Sequence, residues 1–189
     1  MSNIQYNQRI CKKKKEWSKA GWPHKYNISP LFVAQPAKHI PRVFAIKGHR
    51  PLIELVKGKV VADLWVFGNK KNKMREYLVK NRFTITDQLA RAFVDDIKYG
   101  IFHGDLHGGN FVLKNGSKGP HLTLIDFHHS HTANDILSRK DGSFWYSMYM
   151  QKEYGDALKS LSLFTRNKKQ NKELQEYFKR KLEENIRKL

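Results

Sequence analysis

The chain has 189 residues, of which 40% are hydrophobic and 12% aromatic, so it is long and apolar enough to fold around a core. Its net charge of +19 indicates a polyanionic partner, such as nucleic acid, an anionic lipid surface or a phosphorylated glycan. No apolar run approaches the roughly 18 residues that cross a bilayer, the N-terminus has no secretory signal, and the lone Cys11 excludes an internal disulfide. These features predict a cytoplasmic protein.

The first half of the chain predicts an irregular segment, two strands and two helices. Prolines interrupt residues 1–41, and the branched residues of "RVFAIKG" and "RPLIELVKG" then favour two strands joined by a short turn. One helix is expected over Lys71–Lys80. A second helix is expected to begin near Thr86 and Asp87 and to end at Gly100, a residue suited to the left-handed position after a helix.

The second half of the chain predicts a hairpin and a final helix. The recurrence of Leu89, Phe93 and Ile97 gives the second helix a buried stripe. The apolar runs "NFVLKNG" and "HLTLIDF" flank a turn-forming loop and predict a β-hairpin. A basic helix is expected over 171–189, and the four tryptophans are expected to anchor the core or the packing of lobes. The apolar stripe of this last helix consists of Leu174, Phe178, Leu182 and Ile186.

The loop between the second helix and the hairpin concentrates polar residues that suit catalysis. The stretch "GIFHGDLHGGNFVLKNG" contains His103, Asp105 and Asn110, and "LIDFH" supplies Asp126 after the hairpin. Phosphoryl transfer needs a group that orients or deprotonates the acceptor and metal ions that neutralise the phosphate oxygens. Protein kinases supply these as H-R-D, four residues and Asn, followed by D-F-G. The spacing matches here, and the hairpin is expected to bring Asp126 back opposite Asp105.

The same segment resembles the catalytic segment of the protein-kinase-like superfamily, in the branch where "HGD" and "H-x-G-N" replace "HRD" and "K-P-E-N". Together with the basic charge, "GDLHGGNFVLKNG" is most similar to the bacterial lipopolysaccharide core heptose kinases. The resemblance implies an α+β, protein-kinase-like fold with a mostly helical large lobe and a reduced N-terminal small lobe. It also implies ATP and Mg²⁺ as cofactors.

The resemblance assigns a role to each candidate residue. "LIELVKG" is similar to the hinge strand of the superfamily, which would place Glu54 and Val56 against the adenine of ATP. His103 would brace the catalytic loop, and His107 would contact phosphate or acceptor. The implied site residues are Asp105 and His103 for catalysis, Asn110 and Asp126 for the metal, and Glu54, Val56 and His107 for the cofactor.

The N-terminal part of the chain departs from a complete kinase. Residues 1–56 are expected to form a truncated or atypical small lobe that ends in the hinge-like strand, and residues 57–189 the large lobe with its basic C-terminal helix. No Gly-rich loop and no clear strand lysine are present to clamp the nucleotide phosphates. A degenerate, catalytically impaired kinase-like protein is therefore an alternative to an active phosphotransferase.

The acceptor is predicted to be a lipopolysaccharide core sugar. The protein is expected to bind peripherally to the anionic inner face of the membrane, where that acceptor is located. An atypical protein Ser/Thr kinase is the alternative in the same class. Two other classes stay open. One is a 2-His-1-carboxylate iron enzyme built on His103, Asp105 and His128 or His129. The other is a basic nucleic-acid-binding module, although no motif for specific nucleic acid binding is recognisable.

Overall fold

The computed structural model describes residues 38–47, 50–61, 71–117 and 119–189. Within these ranges the chain forms five α-helices and seven short strands, a mixed and mostly helical architecture. The helices are α1 (Lys71–Lys80), α2 (Arg82–Tyr99), α3 (Ala133–Leu137), α4 (Gly142–Ser160) and α5 (Lys168–Ile186). The strands are β1 (Val43–Lys47), β2 (Arg50–Ile53), β3 (Lys59–Val60), β4 (Ile101–Phe102), β5 (Phe111–Gly116), β6 (Gly119–Leu124) and β7 (His131–Thr132).

Several sequence predictions fall outside the described residues. The irregular segment before residue 38, Cys11 and the first three tryptophans belong to this group. Most of the predicted small lobe, residues 1–56, does so too, and the lobe boundary after residue 56 therefore stays a prediction. Its described part is the antiparallel pair β1 and β2, which confirms the two predicted strands.

Helix α2 confirms the predicted buried stripe. Leu89 and Phe93 are buried, and the Phe93 ring meets the Phe178 ring of α5 edge to face with centroids 6.3 Å apart. Each such side chain contributes about 1.5–3 kcal/mol by leaving water. The helix ends as predicted at Gly100, whose φ of 62° and ψ of 42° are left-handed.

The predicted start of α2 is wrong by about one turn. The helix begins at Arg82, and Asn81 at its N-terminus makes no side-chain capping bond. Thr86 is buried within the helix, and Asp87 instead pairs with Arg91 at 2.9 Å one turn further on. These two residues have the composition of a cap but serve packing and ion pairing inside the helix.

Helix α5 confirms the predicted C-terminal helix with two corrections. It begins at Lys168, because the Asn167 side chain accepts a hydrogen bond of 2.9 Å from the Gln170 N–H and caps it there. The buried stripe ends at Leu182, because Ile186 is 43% exposed. Leu174, Phe178 and Leu182 pack into the core of the lobe, so this stripe is not a membrane-facing surface.

The predicted hairpin is β5 and β6, the centre and edge of a sheet ordered β3-β5-β6. Phe111 lies opposite Leu124, both side chains are buried, and β6 packs against α2. The Gln88 side chain of α2 holds this edge in place. Its Nε2 donates to the Pro120 carbonyl oxygen at 2.7 Å, and its Oε1 accepts from the Leu122 N–H at 2.7 Å.

Helices α3 and α4 were not predicted from the sequence. The tryptophan prediction is wrong at Trp145 in α4, whose side chain is 45% exposed beside Phe144, which is 59% exposed. The other end of α4 enters the core through the buried Ala157. No helix among the described residues combines the length and the hydropathy of a bilayer-spanning segment.

Candidate active site

Two loops that carry the candidate carboxylates lie side by side. The loop 103–110 follows β4 and the loop 125–130 precedes β7, and β4 pairs with β7, so one loop begins where the other ends. Where the first loop ends and the second begins, the Ile125 N–H donates a hydrogen bond of 2.9 Å to the Asn110 carbonyl oxygen. The hairpin therefore returns the chain to the first loop.

Glycines allow the close approach of these loops. Gly104 has a left-handed φ of 79°, and a Cβ at this position would overlap the His129 carbonyl oxygen. A Cβ on Gly108 would overlap the Leu163 side chain, and a Cβ on Gly109 would lie 2.6 Å from the His107 ring. Neither Gly108 nor Gly109 has a left-handed φ. In the structure they provide room for neighbouring side chains.

His103 joins the first loop to the second. It is fully buried, its Nε2 lies 3.0 Å from the Ile125 carbonyl oxygen, and its ring centroid lies 4.4 Å from that of Phe127. Because a carbonyl oxygen only accepts, Nε2 carries the proton. Burial lowers the pKa of His103 to about 4, although Asp105 and Asp126 are near enough to oppose this. The neutral ring therefore contacts the second loop, and the bracing role of His103 stays a prediction.

Asp105 is held by two neighbours on its own loop. Asn110 Nδ2 donates to the Asp105 carbonyl oxygen at 2.7 Å and to the Asp105 Oδ2 at 3.0 Å. His107 Nδ1 accepts from the Gly109 N–H at 2.9 Å, which leaves the proton on Nε2, 3.2 Å from the same Oδ2. Oδ1 receives no hydrogen bond from the described residues. The carboxylate is about one third exposed and is fixed in orientation with one oxygen available.

The same bonds fix the orientation of the Asn110 side chain. Asn110 is buried, and because its Nδ2 is committed to Asp105, the other amide atom is the oxygen donor Oδ1. Asp126 is exposed and has a left-handed backbone, with φ 66° and ψ 61°, which is strained for a residue other than glycine. Mg²⁺ commonly takes one or two protein oxygen ligands and completes its shell with substrate phosphates and water. The chemistry of this donor pair fits that ion.

A buried acid and an exposed lysine on α4 form hydrogen bonds with the backbone of Gly104 in the first loop. Glu153 Oε1 accepts from the Gly104 N–H at 2.9 Å, and Lys152 Nζ donates to the Gly104 carbonyl oxygen at 2.7 Å while pairing with Asp156 at 2.8 Å. Burial raises the pKa of Glu153 to about 7. Asp96 of α2 is also buried, and its pKa is raised by burial and then by Glu153.

Glu153 was not predicted from the sequence, because its contact with Gly104 spans 49 positions of the chain. The sequence pattern that marks Glu153 as buried can be recognised only once α4 is assigned as a helix. Glu153 then lies on the face that continues, one turn at a time, through the buried Ala157 to the buried Leu161. An acid on such a buried face predicts a hydrogen bond with a backbone group in the core.

The hinge-like residues lie before β3. The Glu54 N–H donates to the Arg42 carbonyl oxygen at 2.7 Å, and Glu54 Oε2 accepts from the Arg42 N–H at 3.1 Å. Val56 is half-buried. Because β3 pairs with β5, this segment leads into a strand that lies beside the strand following Asn110. Contact of Glu54 and Val56 with a nucleotide stays a prediction.

The iron-site alternative finds no support in the described residues. They contain no group of three His, Cys, Asp or Glu residues placed to bind a metal ion. His103 uses Nε2 for a carbonyl oxygen, and the short sheets form no barrel that would point three ligands inward.

Comparisons with known proteins address the family. A family model described as the ABC1 atypical kinase-like domain matches residues 27–160. A solved structure of Rio2 kinase from Chaetomium thermophilum, a complex with ADP, Mg²⁺ and phosphoaspartate, is similar with a TM-score of 0.39 and 12% identity. The similarity covers 87% of this chain and 53% of the Rio2 chain, so this chain spans about half the length of that protein. Among curated proteins the sequence has no significant match.

Proposed function

We propose that this chain, which belongs to the ABC1 atypical kinase-like family, is an ATP-dependent phosphotransferase that phosphorylates a hydroxyl acceptor. Membership of this family confirms the predicted superfamily and the kinase-like fold. The proposal rests on one observation. Asp105, Asn110 and His107 form a hydrogen-bonded set on a tight loop, and that loop is bound to the segment that carries Asp126.

Asp105 is the proposed acceptor-orienting group. Its Oδ2 already takes bonds from Asn110 and His107, so Oδ1 is the atom proposed to accept the proton of the acceptor hydroxyl. Holding a carboxylate in one orientation removes the entropy cost of arranging it during the reaction. Glu153 and Lys152 support this orientation by fixing the Gly104 peptide groups.

Asn110 Oδ1 and the Asp126 carboxylate are the proposed holders of Mg²⁺. When bound, Mg²⁺–ATP supplies the γ-phosphoryl group and neutralises charge on its oxygens. The neutral ring of His103 sits between the two loops, where it fixes their separation without adding positive charge. Glu54 and Val56 are proposed to contact the adenine from the hinge side.

The proposed acceptor is a sugar hydroxyl. The sequence resemblance to heptose kinases favours a sugar hydroxyl of the lipopolysaccharide core, and a protein hydroxyl is the second acceptor to test. A peripheral position at an anionic membrane face is supported by the net charge of +19, which favours such a surface by about 1 kcal/mol for each lysine near it. Sedimentation with anionic liposomes at low and high salt tests this position separately from catalysis.

The test is transfer of labelled γ-phosphate from ATP by the purified full chain, with and without Mg²⁺. Three acceptors are compared, namely lipopolysaccharide core sugars, a mixture of unfolded proteins and water. Metal-dependent transfer to one of these supports the proposal and identifies the acceptor class. Binding of Mg²⁺–ATP with no transfer and no hydrolysis in any arm would instead identify the impaired kinase-like protein that the missing Gly-rich loop suggests.

A further inference from the structure

Exposed apolar side chains are concentrated at the start of helix α4. The rings of Phe144 and Trp145 meet edge to face with centroids 5.5 Å apart, and both remain open to solvent. Met148 follows them by about one helical turn and lies on the same exposed side of the helix. Leu137 at the end of α3 is exposed as well. The apolar patch is defined as Leu137, Phe144, Trp145 and Met148, which are between 45% and 59% exposed.

Packing on the other side of α4 fixes the direction in which the apolar patch points. The rings of Tyr146 and Tyr149 pack on Phe102 of β4, and their centroids lie 5.2 and 5.7 Å from that of Phe102. Gly142 lies so close to the end of α3 that a Cβ there would overlap the Leu137 backbone. The first turns of α4 are therefore anchored to β4 and α3, and the apolar patch remains on the outside.

The size of the apolar patch favours a bilayer over a second copy of the chain. Its exposed surface is on the order of 400 Å², since each of the four side chains exposes about 100 Å². A stable interface between two proteins needs about 800 Å² from each partner. Insertion into a bilayer has no such requirement, because tryptophan and phenylalanine rings are buried individually at the level of the lipid headgroups.

The charge of the whole chain favours an anionic bilayer. Next to the apolar patch, the exposed cations Arg139 and Lys140 are balanced by the exposed acids Asp135 and Asp141, so its surroundings are close to neutral. The attraction comes instead from the 36 Lys and Arg residues of the chain, which outnumber 17 Asp and Glu residues. Peripheral binding depends on apolar area buried in the bilayer together with such electrostatic attraction. The net charge of +19 provides the attraction, and the apolar patch provides the buried area.

The apolar patch shares one face of α4 with a residue that contacts the candidate catalytic loop. Trp145, Met148 and Lys152 recur at intervals of three and four residues. Lys152 Nζ donates to the Gly104 carbonyl oxygen at 2.7 Å, directly before Asp105 in the chain. Lys152 lies about 6 Å along the helix axis from Met148. A membrane that covers the apolar patch is therefore close to the loop 103–110.

We propose that the apolar patch inserts into the surface of an anionic bilayer and brings the loop 103–110 to that surface. This inference rests on the peripheral membrane position given in the proposed function, and it identifies the surface that makes the contact. The net charge attracts the chain to the bilayer over a distance, and the rings of Phe144 and Trp145 enter it on contact.

Flotation of the full chain with vesicles of phosphatidylcholine and phosphatidylglycerol tests the proposal. The patch variant is Phe144→Gln, Met148→Gln, and the control variant is Ile186→Gln, Leu189→Gln, which removes two exposed apolar side chains at the C-terminal end. The patch variant is expected to weaken vesicle binding about tenfold or more, and the control variant about twofold or less. Far-UV circular dichroism verifies that all proteins are folded.

Quenching of tryptophan fluorescence by vesicles with brominated acyl chains tests insertion itself. Trp145→Phe should keep vesicle binding within about threefold of the wild type and lose most of the quenching. Quenching that is unchanged in Trp145→Phe would overturn the proposal, because another tryptophan would then be the one that enters the bilayer.

The outcomes separate this inference from the proposed function. A wild type that floats together with an equally bound patch variant would overturn the inference and leave the peripheral position intact. A wild type that does not float at low salt would overturn both, and phosphate transfer from ATP is measured independently of either result. Sedimentation equilibrium without vesicles tests the remaining occupant, since a wild-type dimer that becomes a monomer in the patch variant would assign the apolar patch to a second copy and overturn the proposal.

Discussion

Replacing Glu153 by Gln should change how the stability of the protein depends on pH. The Gln oxygen can still accept the Gly104 N–H, so the substitution keeps the contact and removes only the ionisable group. Burial raises the pKa of the Glu153 carboxyl from 4.5 to about 7 in the folded chain, so the folded state binds this proton more tightly than the unfolded state does. The resulting stability is fully present below pH 4.5 and is lost as the pH rises through 7. The loss amounts to about 3 kcal/mol.

Protonation of His103 changes the stability of the folded chain in the opposite direction. The pH dependence of the wild-type stability alone therefore does not report the contribution of Glu153. Burial lowers the pKa of His103 from 6.5 to about 4, so its contribution is present above pH 6.5 and is lost as the pH falls through 4. Both proteins share the His103 term. The difference in free energy of unfolding between Glu153→Gln and wild type therefore reports Glu153 together with its effect on the pKa of Asp96, and both contributions favour the variant as the pH rises. This difference should rise in favour of the variant by about 2–3 kcal/mol from pH 5 to pH 8.

Urea unfolding followed by circular dichroism at several pH values measures this difference. Glu176→Gln is the matched control, because Glu176 is an exposed acid on α5 with no ion pair within the described ranges. Its curve should stay parallel to that of the wild type. A Glu153→Gln curve that also runs parallel to the wild type would show that the carboxyl is not buried behind the loop 103–110.

Two further substitutions test the packing of the site. Gly104→Ala should cost at least about 2 kcal/mol of unfolding free energy, because a left-handed φ and overlap with the His129 carbonyl both oppose a Cβ. Its control, Gly155→Ala in the open interior of α4, should stabilise by about 0.5–1 kcal/mol, and equal effects at the two sites would contradict the loop contact. Gln88→Ala should cost about 1–3 kcal/mol by leaving the hairpin edge unsatisfied, whereas Gln175→Ala on α5 should stay within about 0.5 kcal/mol in the same urea titration.

The helices and the hairpin were predictable where one physical signal dominated. Leu89, Phe93 and the stripe of α5 repeat with the helical period, and Gly100 has the one backbone conformation that favours glycine after a helix. The hairpin followed from two apolar runs around a turn. The spacing between Asp105 and Asn110 was readable because both lie on one short loop.

The remaining features depend on contacts that are distant in sequence. Helix α4 was missed because Phe144 and Trp145 stay exposed and blur the apolar period that marks a buried helix. The role of Glu153 depends on Gly104, which no local pattern connects to it. The start of α2 was misplaced because Thr86 has the composition of a cap but is buried. The acceptor leaves no local signature, since the loop that orients a hydroxyl does not identify the molecule that carries it.

We propose that Asp105 and Asp126 have separate roles at one phosphoryl-transfer site. Equilibrium binding of ATP, with and without Mg²⁺, and turnover are measured on Asp105→Asn, Asp126→Asn and the control Glu173→Gln, an exposed acid of α5. Asp105→Asn should retain metal-dependent ATP binding and lose about 10²–10⁴-fold in turnover, and Asp126→Asn should lose the metal dependence of binding itself. Wild-type protein that binds ATP equally with and without Mg²⁺, or an Asp126→Asn variant that keeps the metal dependence, would contradict this account.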